Sequence, residues 1–253
     1  MISDTIYLFN KYMQISLRAP LWLLFTLIQP LIWLIIFSEL FGNMAQLPGF
    51  PEDSYKDFFV PGVLIMTVLF GSSWCGVSLL REIRSGTVDK MLTTPVSRAA
   101  IVLSRIMHSA VQVLVQTLII LVTAWVVGAS VHFHPLHLGM GMITIFFLGV
   151  GFAALSNGLA MTLQREEPLV VMGNLMTLPL MFFSSAMVPQ QMMPEWIQIA
   201  SKINPIEYAT AAVRQSLSDK FDMMIYLKDT GILAIFCAVA LVWSISAFNS
   251  IKD

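Results

Sequence analysis

Charge is what this sequence has least of. Lys, Arg, Asp and Glu make up 11% of its 253 residues, where an ordinary globular chain carries about 25%. With 57% apolar residues and a mean hydropathy of +0.78, too little polar surface exists to coat a water-soluble core, so a soluble domain is excluded. A net charge of −1 and no basic patch interleaved with aromatics leave nothing that recognises nucleic acid. Only two cysteines occur, Cys75 and Cys237, both inside apolar runs; they read as small buried hydrophobes, not as a disulfide or a metal site. No His-Glu-x-x-His and no serine–histidine pair at one depth suggests an intramembrane hydrolase, and Gly71-Ser72-Ser73 fits small-residue helix packing. Secondary transporters usually show paired charges at mid-membrane or inverted repeats, and neither is visible. The Gly-x-x-x-x-Gly-Lys-Ser/Thr phosphate loop is also missing, so the chain cannot bind ATP by that device.

What is abundant is long apolar runs. A bilayer core of about 30 Å needs roughly 20 apolar helical residues, and six stretches qualify: about 21–41, 58–80, 106–128, 138–163, 169–188 and 230–249. The first follows Lys11 and Arg18 but is too long for a signal sequence and lacks a small-residue cleavage site. Pro30, Pro61 and Pro179 fall inside these spans, where neighbouring helices can satisfy the freed backbone groups. The expected fold is therefore an all-α polytopic membrane protein, one domain over 1–253. Placing the N-terminus in the cytoplasm puts nine Lys and Arg inside (Lys11, Arg18, Arg81, Arg84, Lys90, Arg98, Arg105, Arg165, Lys252) and five outside (Lys56, Lys202, Arg214, Lys220, Lys228), as the positive-inside rule favours. Six spans return the C-terminus to the same side.

Three segments between or before the spans are polar enough to need a reason. Residues 1–20 pattern as an interfacial amphipathic helix: Ser3 and Asp4 can cap it, Pro20 ends it, and Asn10, Gln14 and Arg18 recur at i, i+4 and i+8 with Lys11 beside them, while Ile6, Phe9, Met13 and Leu17 line another face. It could serve as a simple anchor or dock a cytoplasmic partner. Residues 81–98, REIRSGTVDKMLTTPVSR, concentrate six charges in a cytoplasmic loop. Residues 189–228 are amphipathic and aromatic yet broken at Asn204-Pro205, which reads as two short re-entrant helices dipping into the outer leaflet.

These features together resemble the ABC-2 family of ABC-transporter permeases, over nearly the whole chain. ISLRAPLWLLFTLIQPLIWLIIFSELFG is similar to the family's first span with its basic-Pro elbow. YKDFFVPGVLIMTVLFGSSWCGVSLLREIRSGTVDKMLTTPVSR resembles its second span and following loop, and SSAMVPQQMMPEWIQIASKINPIEYATAAVR its extracellular region. DFFVPG and Gly-Thr-Val-Asp-Lys most resemble the drug-resistance (daunorubicin-exporter-like) branch, with exporters of polysaccharide and lipid-linked glycans as close relatives.

The resemblance implies an exporter in a bacterial plasma membrane, in which two permease halves, here a homodimer or a pairing with a similar half, join two ATP-binding subunits. ATP and Mg would sit on those subunits, and the cargo would be amphiphilic. It implies that 81–105 holds a coupling helix pressed into the ATPase. Arg81, Glu82, Arg84, Thr87, Asp89, Lys90 and Arg98 offer polar contacts, Gly86 a tight turn, and Pro95 a stop; a solvated loop obeying the positive-inside rule is the plainer alternative. It implies an outer gate at Pro189, Pro194, Asn204, Pro205, Glu207, Tyr208 and Arg214, set against a segment that only seals the leaflet. His108, Gln112 and Gln116, at i, i+4 and i+8, with Asn157 and Asn174, and with Gln29 and Thr177 as scattered polar points, could line a path or bond between helices. His132, His134 and His137 lie in an outer loop with no acid or cysteine nearby, so they read as interfacial, and no metal is expected. Glu39 reads as a boundary residue.

Overall fold

A computed structural model describes residues 2–48, 50–52, 54–130, 134–218 and 221–249, and among these residues the regular structure is helical. The helices are α1 (Ile2–Arg18), α2 (Pro20–Leu40), α3 (Tyr55–Arg84), α4 (Thr87–Leu92), α5 (Arg98–Val126), α6 (Pro135–Leu163), α7 (Glu166–Phe182), α8 (Glu195–Ser201), α9 (Pro205–Leu217) and α10 (Met223–Asn249), with short 3-10 turns at Gly42–Gln46 and Gln190–Met192.

Local chemistry sets several of the boundaries. Ser54 and Ser97 cap α3 and α5, accepting from the amides of Lys56 and Ala100 at 3.2 Å each. Gly86, at φ +67°, breaks α3 from α4 in a left-handed conformation that glycine adopts without steric cost. Gln164, at φ 53°, ends α6 in the same region.

Four helices, α3, α5, α6 and α10, are long and apolar enough to cross a bilayer. The apolar stretch Leu24–Leu40 of α2 is shorter. The expected span at 169–188 is helical only to Phe182, giving 17 residues for α7. The chain turns there because Pro179 lies in the last turn and because the side chains of nearby Ser184 and distant Asn204 take up the Met181 and Leu180 carbonyls that a longer helix would use.

Helix α3 is the centre of the bundle. Its residues are buried along most of its length, and it packs on α2, α5, α6, α7 and α9. It approaches α6 closely at Gly76, where an added Cβ would fall 2.2 Å from the Ser156 carbonyl oxygen. The Ser156 hydroxyl staples the contact, accepting from the Gly76 amide at 2.9 Å and donating to the Ser73 carbonyl at 2.7 Å. Such small-residue contacts suit association in lipid, where apolar surface gains nothing by leaving its surroundings. Large apolar side chains of α2 and α10, such as Leu24, Phe25, Ile235 and Val239, face outward.

The elements sort onto two ends. Helix α1, α4, the C-terminal ends of α3, α6 and α10 and the N-terminal ends of α5 and α7 share one, where Leu8, Val88 and Phe248 join one apolar cluster. The other holds the opposite termini with α9, tied by Lys56–Glu39 at 2.6 Å, by the Ser130 amide donating to Asp57 at 2.6 Å, and by the Tyr226 hydroxyl donating to the Met140 carbonyl at 2.8 Å.

Candidate functional site

At the α1–α4 end, Arg105 is 4% exposed and is held by three partners. Its Nη1 pairs with Glu82 Oε2 at 2.5 Å and donates to the Tyr12 hydroxyl at 3.3 Å, while Nη2 donates to Ser78 at 2.6 Å. Tyr12 in turn donates to Glu82 Oε2 at 3.0 Å. Burial pushes the Tyr12 phenol up to about 12, with Arg105 pulling down and Glu82 up, so it stays a donor. The next turn of α1 adds Ser16, whose hydroxyl meets His108 Nε2 at 2.7 Å. Outside this knot, Arg81 and Arg84 reach Glu166 at the start of α7, at 3.1 and 3.3 Å.

Of the residues expected at the coupling loop, Glu82 therefore turns inward, and Arg81 and Arg84 lie at the surface already paired. Thr87, Asp89 and Lys90 lie on α4, whose buried residue is Val88 and whose Asp89 and Lys90 are exposed. Pro95 stands exposed in the turn that follows, and Arg98 opens α5.

A cavity of about 280 Å³ with mixed lining lies beside the knot, bounded by Tyr12, Ser16, Glu82, Arg105, His108 and Gln112 together with Ile15, Trp74 and Val77. An apolar groove of about 470 Å³ runs between α2, α3 and α7, lined by Phe25, Gln29, Phe70, Leu169, Asn174 and Leu178 among others. The two share Thr26, Trp74 and Val77, so a cavity that carries ionisable side chains adjoins a mainly apolar one. The polar stripe of α5 divides between roles. Gln112 lines the cavity, His108 lines it while bonding to α1, and Gln116 is buried and donates to Thr26 of α2 at 2.7 Å. Asn174 and Gln29 lie on the groove, and Thr177 is buried nearby on α7. Asn157 joins neither, being buried in α6 with both amide atoms unpartnered.

At the opposite end, the guanidinium of Arg214 donates to the Ser185 carbonyl at 2.8 Å and the Ser185 hydroxyl at 3.3 Å. Glu207 accepts from the amide and hydroxyl of the same Ser185 at 2.6 and 2.9 Å. Burial draws Arg214 down to about 10 against the upward pull of Glu207 and Glu52, which leaves it charged at neutral pH. Asn204 caps α9 through the Ile206 amide at 3.0 Å, and its Nδ2 donates to the Leu180 and Phe183 carbonyls at the end of α7. Pro205 follows at the first position of α9. The Tyr208 hydroxyl closes the preceding turn on the Lys202 carbonyl at 2.6 Å. Pro189 is buried, and Pro194 is exposed at the head of α8. Glu207 and Arg214, with Pro189, border a polar cavity of about 360 Å³. The rings of His134 and His137 are tilted at 4.6 Å, and His137 stacks on Phe221 at 4.4 Å; His132 lies outside the described residues.

The family model described as ABC-2 type transporter matches residues 4–218. The chain belongs to this family. ABC-2 permeases are membrane transport subunits that work with an ATP-binding subunit and are not themselves the ATPase. Among relatives of this ABC-2 permease, a putative transport permease ycf38 of Pyropia yezoensis is 33% identical over 201 residues, 78% of this chain and 68% of the relative. A probable doxorubicin resistance ABC transporter permease, DrrC, of Mycobacterium tuberculosis is 27% identical over 247 residues, 95% and 87% of the two chains. A daunorubicin resistance ABC transporter permease, DrrB1, of Streptomyces coeruleorubidus is 24% identical over 248 residues, 95% and 85%.

Tyr12, Ser16, Ser78, Glu166 and Ser185 were not singled out from sequence, and Arg105 entered only as one of the inside charges. Serines and tyrosines in apolar runs look alike whether or not they have a partner. Arg105 did carry a signal, since it and Glu82 bound the same loop at one depth with opposite charge.

Proposed function

We propose that this chain is the membrane-spanning permease of an ABC exporter in a bacterial plasma membrane. It crosses six times, through α2, α3, α5, α6, α7 and α10, with both termini in the cytoplasm and α8–α9 set into the outer leaflet. The excess of Lys and Arg at the α1–α4 end supports that orientation. The outward face of α8, with Trp196 and Ile199 exposed, and exposed Ile203 in the turn after it, suit an interfacial position. Two copies pair with two ATP-binding subunits that carry ATP and Mg, and α4 is the handle through which those subunits act. The cargo is an amphiphile of drug-like size.

The observation that carries this reading is α4 itself. It is one and a half turns of helix set off from α3 by Gly86, with Asp89, Lys90 and Leu92 exposed and only Val88 buried. Exposed charges on a short helix projecting from the end of α3 suit contact with a second protein, and the family's partner is an ATP-binding subunit. The amphiphilic cargo rests on the junction of a cavity that carries ionisable side chains with a mainly apolar groove at Thr26, Trp74 and Val77, and on two relatives whose names carry doxorubicin and daunorubicin resistance.

The test is Asp89→Lys, which reverses a charge without disturbing a bond recorded in the fold. Co-purification of the ATP-binding subunit and drug-stimulated ATP hydrolysis should both fall while the permease keeps its size-exclusion profile. Undiminished co-purification and hydrolysis would overturn the coupling role of α4.

A further inference from the structure

Tyr12, Glu82 and Arg105 come from three helices and meet within a few ångströms. Glu82 lies in the last turn of α3, five positions before Thr87 opens α4. Arg105 lies in the second turn of α5, and Tyr12 in the middle of α1. Helix α1 packs along α5 and touches α2, so the bond from Tyr12 to Glu82 is a polar link between α1 and the helix that continues into α4. The apolar floor beneath is shared as well: Leu8 and Tyr12 of α1, Val88 of α4, and Ile101 and Val102 of α5 belong to one cluster.

Simple adhesion does not require this chemistry. A buried ion pair is often matched or exceeded in stability by apolar residues of the same volume, and here the pair is not even complete, since Arg105 Nε is buried without a partner. What bonded charges supply better than apolar contact is a fixed register, because they tolerate few alternative alignments. The neighbouring contacts repeat the pattern, with Arg81 and Arg84 tying the same end of α3 to Glu166 of α7.

We infer that Tyr12, Glu82 and Arg105 are positioning residues of the coupling step, fixing α1 and α5 to the root of α4. Displacement of α4 by the ATP-binding subunit is then delivered to α1 and α5 as one body, beside the cavity that Tyr12, Ser16 and His108 line. This rests on the reading of α4 as the coupling element.

The experiment measures spin-label distances within one permease copy, each labelled copy being paired with an unlabelled one, in the full chain with its ATP-binding subunit in lipid nanodiscs, nucleotide-free and trapped with ATP and vanadate. The labels sit on exposed Asn10 of α1, Lys90 of α4 and Val239 of α10, and the two native cysteines are buried. With residues 12, 82 and 105 intact, the Asn10–Lys90 distance should keep one peak in both states while Lys90–Val239 shifts. Tyr12→Phe removes only the hydroxyl, and Glu82→Gln only the charge. Either should give Asn10–Lys90 a second peak in the trapped state, with the ATP-binding subunit still bound. Should Glu82→Gln fail to fold, Tyr12→Phe decides alone. If Lys90–Val239 does not move, the coupling reading falls and this inference with it. If Lys90–Val239 moves, but Asn10–Lys90 also shifts in the parent or stays single in Tyr12→Phe, this inference alone is overturned.

Discussion

The guanidinium carbon of Arg214 lies 4.3 Å from the centroid of the Phe58 ring. That contact joins α9 to the first turns of α3, and the hydrogen bonds of Arg214 to Ser185 bring in the turn after α7. Three separate stretches of chain converge on one cation. Cation–π contacts contribute about 0.5–2 kcal/mol, and hydrogen bonds to charged groups about 1.5–3 kcal/mol.

Arg214→Met keeps the length of the side chain and removes the charge. We expect a stability loss of about 2–3 kcal/mol from the lost bonds, read as a lower midpoint in thermal unfolding followed by size exclusion. Arg214→Lys keeps the charge but not the planar fork, and should fall between the parent and Arg214→Met. A midpoint unchanged in both variants would show that the turn after α7 is held by its apolar contacts alone.

Asn204 offers a sharper distinction, because its two amide atoms do different work. Its oxygen caps α9, and its nitrogen satisfies two carbonyls of α7. Asn204→Asp preserves the cap but sets a carboxylate oxygen against those carbonyls; Asn204→Ala loses both roles. Loss of a cap alone costs about 1 kcal/mol. If the nitrogen matters more, Asn204→Asp should lower the unfolding midpoint at least as far as Asn204→Ala. A well-tolerated Asn204→Asp would mean that the cap is the residue's main service.

Gly86 sets the direction in which α4 leaves α3. At φ +67°, a residue with a Cβ costs about 1–2 kcal/mol, and asparagine less than most. Gly86→Asn should therefore keep most of the coupled ATP hydrolysis, and Gly86→Val should lose it. An added Cβ would meet only Asp89 Oδ2, at 3.9 Å, so crowding does not confound the comparison. Equal activity in the two variants would rule out a role for the backbone angle.

The long helices were legible because a bilayer imposes a length, and α3, α5, α6 and α10 meet it with nearly uninterrupted apolar residues. The end of α7 was not, since Phe183 to Val188 is as apolar and small as the helix before it. What stops the helix is the capture of the Leu180 and Phe183 carbonyls by Asn204, 24 and 21 residues downstream. The turn at Asn204-Pro205 was visible from composition, whereas its tether to α7 was not. Glu82 shows the same limit from the other side: within a run of charges it looked like one more surface group, and only the fold brings Arg105 and Tyr12 to it. The stripe His108, Gln112 and Gln116 lies along α5, where α1 and α2 divide it between bonding and lining.

The bond between Arg105 and Tyr12 spans 93 residues of sequence, and this places a constraint on birth as well as on operation. During synthesis at roughly 5–20 residues per second, α1 emerges several seconds before its partner on α5 exists. Through that interval an amphipathic helix with Ile2, Ile6, Ile15 and Leu17 exposed lacks α5, the helix it packs against most extensively, and rests on the lipid surface and α2. The docking of the first helix is thus a late event in the making of this protein, set by the arrival of its fifth.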